Sequence, residues 1–167
     1  NRGVITENSK TGSMVPAIMN SYYEYTGVPI VGVSASKGGQ SIDFWTTDGD
    51  AMTETIARYT TAKNYLTENG YTIRHQYMVW CQGETDGRLE MSVDTYKTKL
   101  QNVFNEMKEQ GVEKSLVIRI GNNRDDAEKY DDIILAQTEL CAESDDFAMI
   151  TGKLAGFAEA GLMKDEA

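Results

Sequence analysis

In the run Val79-Trp80-Cys81-Gln82-Gly83-Glu84-Thr85-Asp86-Gly87, an amide, a glycine and a carboxylate stand directly behind an apolar stretch. The amide of Gln82 can donate to a developing oxyanion, and Gly83 lets backbone or ligand approach closely. The carboxylate of Glu84 can orient a base or bind a polar substrate. A second run, Ser34-Ala35-Ser36-Lys37-Gly38-Gly39-Gln40-Ser41-Ile42-Asp43-Phe44-Trp45, carries paired glycines beside a lysine. A phosphate loop has its lysine after the glycines, in Gly-Lys-Ser/Thr; here Lys37 precedes them. The better reading is a tight turn that presents backbone N–H groups, as an oxyanion hole requires. The plainer one is a crossover turn with Trp45 packed in the core. A third run, Gly121-Asn122-Asn123-Arg124-Asp125-Asp126, reads as a polar turn leading into a helix that Asp125 or Asp126 caps. Its alternative is a substrate-facing loop that uses Asn123 or Arg124.

The usual partner for an activated serine is a histidine, and the chain has one, His75. It lies six residues before Cys81 at the opposite end of the same predicted strand, roughly 20 Å away at about 3.3 Å per residue. His75 is therefore expected at the sheet edge or surface. No serine sits in a Gly-x-Ser-x-Gly elbow, and Ser41, the nearest by place, has no base in reach. A single histidine also excludes a multi-histidine metal site. Cys81 and Cys141 do not make a disulfide framework and are expected to be buried or half-buried thiols.

Two features place these loops. Strand-like runs at Val28 to Val33, Ile73 to Cys81, Leu116 to Ile120 and Phe147 to Ile150 alternate with helical patterns. The helices are read from Ser13, as a cap, to Tyr25, and from Asp50 to Asn69-Gly70. Two more are read from Val93 to Gly111 and around Tyr130, Ile133, Ile134 and Leu140. Near-continuous apolar strands separated by helices predict a three-layer α/β/α domain with a doubly wound, flavodoxin-like parallel sheet. In such a sheet ligands gather at the carboxyl ends of strands, which is where the runs above fall. The 167 residues make one domain, 1–167, with no linker or repeat. A net charge of −10 disfavours nucleic acid and anionic membrane surfaces. No apolar run approaches the roughly 20 residues of a membrane span. The chain reads as an excerpt of a longer protein.

The Trp80-to-Glu84 run resembles the Trp-x-Gln-Gly-Glu-Ser block of the sialate and xylan acetylesterases, a carbohydrate-esterase branch of the SGNH hydrolases. The Gly38-Gly39-Gln40-Ser41-Ile42 run with Trp45 resembles their Gly-Gly-Thr/Gln-Ser-Ile-x-x-Trp block. The similarity runs from about Gly27 to Asp165. Cys81 stands where many relatives have histidine, and Thr85 where many have serine. The resemblance implies a carbohydrate O-acetylesterase, with an acetylated carbohydrate as its partner and with no cofactor or metal. It implies that Gln82 and the N–H of Gly38 or Gly39 hold the oxyanion; Trp45, Trp80 and Arg124, with Asn123, suit a polar sugar ring with one apolar face, the alternative for Trp80 being core packing. It also implies a serine from a Gly-Gln-Ser-Asn block upstream of Asn1 and a histidine from an Asp-x-x-His block. Asp165-Glu166-Ala167 matches the opening of that block. Either Asp165 or Glu84 would then be the triad acid, with Asp165 the first choice. The rivals are a degenerate SGNH-like domain that binds glycan or protein, and a flavodoxin-like receiver or nucleotide binder.

Overall fold

The computed structural model describes residues 14–47 and 50–153. Ser13, the expected cap of the first helix, and Asp165, the first-choice triad acid, lie outside the described residues. Helix α1, Met14–Thr26, ends at Gly27, whose φ of 67° suits a residue without a Cβ. It buries none of its side chains, though Val15 and Met19 lie against Gly32.

Val28 to Val33, expected as a buried strand, forms no regular element and pairs with no strand among the described residues, and Val31 and Val33 are exposed. β-branched composition favours an extended chain, yet a strand exists only where a partner accepts its N–H groups. A 3-10 turn at Ile42–Trp45 and helix α2, Asp50–Glu68, follow.

Three parallel strands form one sheet in the order β1-β2-β3. They are Tyr77–Trp80, Lys114–Ile118 and Phe147–Thr151. Pairing runs from Tyr77↔Lys114 to Trp80↔Val117, and from Ser115↔Phe147 to Ile118↔Thr151. Helices α4, Val93–Glu109, and α5, Asp131–Glu143, make the crossovers that parallel strands need. This is the α/β architecture that the alternating pattern predicts. Between β1 and α4 lies a short helix the sequence did not reveal, α3, Glu84–Arg88.

β1 starts later than the expected Ile73. The N–H of Gln76 is taken by the Glu113 carboxylate at 3.1 Å, so the ladder proper begins at Tyr77. His75 is exposed, 3.0 Å from Glu113 and stacked on Tyr77. β2 begins two residues before the expected Leu116 and stops at Ile118. Ile120 is buried, but its N–H goes to Gln137 Oε1 at 3.0 Å, which draws the chain out of the sheet.

On one face of the sheet, Trp80, Ser115, Val117 and Phe147 are buried in a core with Tyr96, Leu100, Val103 and Phe104 of α4 and Ile133 and Leu140 of α5. The ring centroids of Phe104 and Phe147 are 5.2 Å apart. On the other face Tyr77, Val79 and Ile150 are exposed. A buried polar cluster ties the covered face to the end of β1. The Tyr96 hydroxyl accepts from Trp80 Nε1 and Gln137 Nε2, each at 3.1 Å, and lies 2.8 Å from the Gln82 carbonyl, to which it donates. Burial pushes the pKa of the phenol well up, so it remains a donor. Tyr96→Phe removes that donor and leaves two buried N–H groups without this acceptor. It should lower unfolding free energy in urea by about 1–3 kcal/mol. A loss under about 0.5 kcal/mol, the level of an ordinary surface change, would show that the cluster is dispensable.

Candidate active site

The end of β1 delivers Gln82 into a fully bonded position. Its carbonyl accepts from Tyr96 Oη and from Gln137 Nε2, both at 2.8 Å. Its side chain is buried, and Nε2 donates to the Gln40 carbonyl at 3.0 Å and to the Asp86 carboxylate. Gly83 follows with φ 147°, a conformation that side chains rarely adopt. A Cβ there would lie 2.7 Å from Ile133 Cγ2, so the chain can turn into α3 only with glycine.

Asp86, which the sequence analysis left without a role, is the best-connected side chain of this region. It is fully buried. Oδ1 accepts from Ser41 Oγ at 2.6 Å and from the Ile42 N–H at 3.0 Å, while Oδ2 takes Gln82 Nε2 and lies 3.2 Å from the same Ile42 nitrogen. No local pattern marks Asp86, because its partners Ser41 and Ile42 come from more than forty positions away and Gln82 precedes the helix.

These bonds bring two of the expected runs together. Ser41 caps the 3-10 turn, accepting from the Asp43 N–H at 3.3 Å. Just before it, Gly38 and Gly39 form an exposed turn, with φ 72° at Gly39. Beyond its chain neighbours, no atom of the described residues lies within 4 Å of a Cβ added at either glycine. The turn is thus open on its outer side and held at its base.

Glu84 opens α3, half-buried, and has no hydrogen-bond partner among the described residues. The Cys81 thiol nearby is pushed up to about 11, first by burial and then by the Glu84 carboxylate. Trp45, expected against the sugar, is instead buried: its Nε1 donates to the Ala35 carbonyl at 3.1 Å and its ring meets Trp80 edge-on at 5.7 Å. A large apolar ring next to the core gains more by leaving water than by waiting for a ligand. Lys37 lies over the Phe44 ring at 4.6 Å.

In the loop after β2, Asn123 holds the turn at 123–126. Its Oδ1 accepts from the N–H groups of Asp125 and Asp126 at 2.9 and 3.1 Å, and its Nδ2 donates to Tyr130 Oη at 2.9 Å. Asp126 Oδ1 accepts from the Glu128 N–H at 3.2 Å, but neither Asp125 nor Asp126 caps α5, which has Tyr130 at its N-cap. Arg124 is exposed and forms a two-pronged pair with Asp125 at 3.0 and 3.1 Å. Among the described residues no three His, Cys, Asp or Glu side chains are placed to hold a metal ion. No helix among them is long and apolar enough to cross a membrane.

A parallel α/β sheet with a glycine turn and a Gln-Gly-Glu strand end joined behind it is the frame of an SGNH-type carbohydrate esterase domain. The family model for carbohydrate esterases described as sialic acid-specific acetylesterases matches residues 12–157, and the chain belongs to that family. A protein from Arabidopsis thaliana, solved by X-ray crystallography, shares the fold with a TM-score of 0.65 at 14% identity. The match covers 94% of this chain and 68% of that one. No curated protein matches.

The raised Cys81 pKa excludes a ready thiolate at the end of β1 and sets an expectation. At pH 8 a thiol at about 11 is almost wholly protonated. In urea it returns towards about 8.5. Alkylation of Cys81 by iodoacetamide, followed peptide by peptide, should be at least about tenfold slower in the folded protein. Equal rates would show that the thiol is neither shielded nor raised.

Proposed function

We propose that this domain removes acetyl groups from carbohydrate hydroxyls as a serine esterase. The observation that carries the reading is the Gly38-Gly39 turn, open outward and anchored inward on the end of β1. A serine oxygen adds to the acetyl carbonyl while a histidine takes its proton. The carbonyl oxygen gains negative charge and is held by the N–H of Gly38 or Gly39. Collapse expels the sugar oxygen, which receives the proton from the histidine, and water then releases acetate from the acetyl-serine by the same steps. Gln82 serves this turn from the end of β1, and Asn123 and Arg124 are the residues assigned to the sugar hydroxyls.

The serine and the histidine of this scheme are not supplied by these 167 residues. His75, the one histidine, sits exposed before β1. The 167-residue chain by itself should therefore hydrolyse p-nitrophenyl acetate no faster than its His75→Ala variant. The full-length protein should release acetate from acetylated sialate or xylan. A rate for the short chain well above the variant would refute an external base. Failure of the full-length protein on every acetyl ester would favour a non-catalytic glycan- or protein-binding domain.

The acid that orients the histidine is assigned to Asp165, three residues before the position that an Asp-x-x-His block gives its histidine. Glu84 is the competitor, its carboxylate without a hydrogen-bond partner among the described residues and next to Gly83. In the full-length enzyme Asp165→Asn should lower kcat by as much as about 10⁴-fold, with Glu84→Gln far milder. The opposite order would transfer the role to Glu84.

A further inference from the structure

Gln82 was expected to reach the oxyanion, but its amide has no hydrogen left to give. The amide nitrogen carries two hydrogens, and its two contacts are the Gln40 carbonyl and the Asp86 carboxylate. Both partners are acceptors, so the amide cannot be reversed without setting its oxygen against two others. Its Oε1 lies instead 3.3 Å from the Tyr96 hydroxyl.

The far side of this contact is just as particular. Three consecutive residues after Gly39 are held: Gln40 by its carbonyl, Ser41 by its hydroxyl and Ile42 by its N–H. All three bonds end on Gln82 or Asp86. The approach to the turn is held as well, by Trp45 Nε1 on the Ala35 carbonyl and by Arg58 Nη1 on the Ser34 carbonyl, each at 3.1 Å. Only the residues between, Ser36 to Gly39, remain exposed.

We infer that Gln82 and Asp86 are positioning residues, a buried bracket that sets the direction of the Gly38 and Gly39 N–H groups without touching the reacting carbonyl. The inference rests on the esterase reading for its catalytic consequence, but the bracket itself does not. Asp86 is the part that cannot be replaced by shape. Asparagine in its place would turn an NH₂ either towards Gln82 Nε2 or towards the donors of Ser41 and Ile42, opposing donor to donor. Misplacing a catalytic donor by about 1 Å can cost on the order of 10²-fold in rate.

The test is a double-mutant cycle in the full-length enzyme with Gln82→Ala, Asp86→Asn and their combination, read with the NMR exchange rate of the Ile42 amide. Each single change should lower kcat by roughly 10- to 100-fold and leave KM within about threefold. The double variant should be no worse than the poorer single one, because both changes break one bracket. Ile42 exchange should quicken in Gln82→Ala, which does not itself remove the acceptor of that amide. If the losses multiply, or if Gln82→Ala slows catalysis with Ile42 exchange unchanged, Gln82 acts on the oxyanion itself and the inference is overturned. Should Asp86→Asn fail to fold, Ser41→Ala, which removes one donor from the same carboxylate, takes its place in the cycle with the same two outcomes. An inactive wild-type protein would refute the esterase reading, and the exchange of Ile42 would still decide the bracket.

Discussion

A carboxylate removed from water with no cation beside it must be met by hydrogen-bond donors, since an unmet one costs several kcal/mol. Among the described residues Asp86 is such a group, and the donors that meet it are Ser41 Oγ, the Ile42 N–H and Gln82 Nε2. The first two lie on the 3-10 turn, the third at the end of β1. One buried side chain thus dictates how two distant stretches of chain meet. It also constrains its own neighbours. Gly87 must be glycine because a Cβ there would fall 2.4 Å from the Tyr130 ring, and that close fit keeps α3 against the start of α5.

From Asp86 the constraint passes inward to the helices. The Gln82 carbonyl is taken by Tyr96 of α4 and Gln137 of α5, and Gln137 also receives the Ile120 N–H where the chain leaves the sheet after β2. A shift of either helix would therefore be felt at Gln82 and, through its amide, at Gln40. Donors of fixed direction stabilise developing charge without reorganising during reaction. Here the fixing is done by groups that are themselves fully occupied, while the glycines that face outward are left unencumbered.

The parts of this arrangement that were legible in the sequence are those that local pattern decides. α4 was read from Val93, Tyr96, Leu100, Val103 and Met107 because one apolar face at helical spacing has no other use. Gln82-Gly83-Glu84 stood out because polar residues directly behind an apolar strand mark its carboxyl end. The family followed from that run and the glycine pair, and the match over residues 12–157 agrees. What sequence could not show depends on partners far along the chain. Val28 to Val33 has the composition of a strand but no ladder to join among the described residues. Trp45 has the chemistry of a sugar platform, yet Trp80 and the Ala35 carbonyl claim it for the core. Asp86, followed by glycine, reads as a surface turn until Ser41 and Ile42 arrive from more than forty positions away.

Glu84 and Asp86 show how satisfaction of polar groups separates support from chemistry. They stand two residues apart on the same short helix. Asp86 has donors on both oxygens and no access to solvent, so a substrate could engage it only by dismantling the fold. Glu84 has no hydrogen-bond partner among the described residues, and its charge adds to the burial that keeps two neutral neighbours, the Cys81 thiol and the Tyr96 phenol, protonated. A half-buried carboxylate in that position can still accept hydrogen bonds from a donor that reaches it. Asp86 therefore belongs to the frame, and among the carboxylates that open α3 Glu84 is the one with capacity left for a base, a sugar hydroxyl or a water.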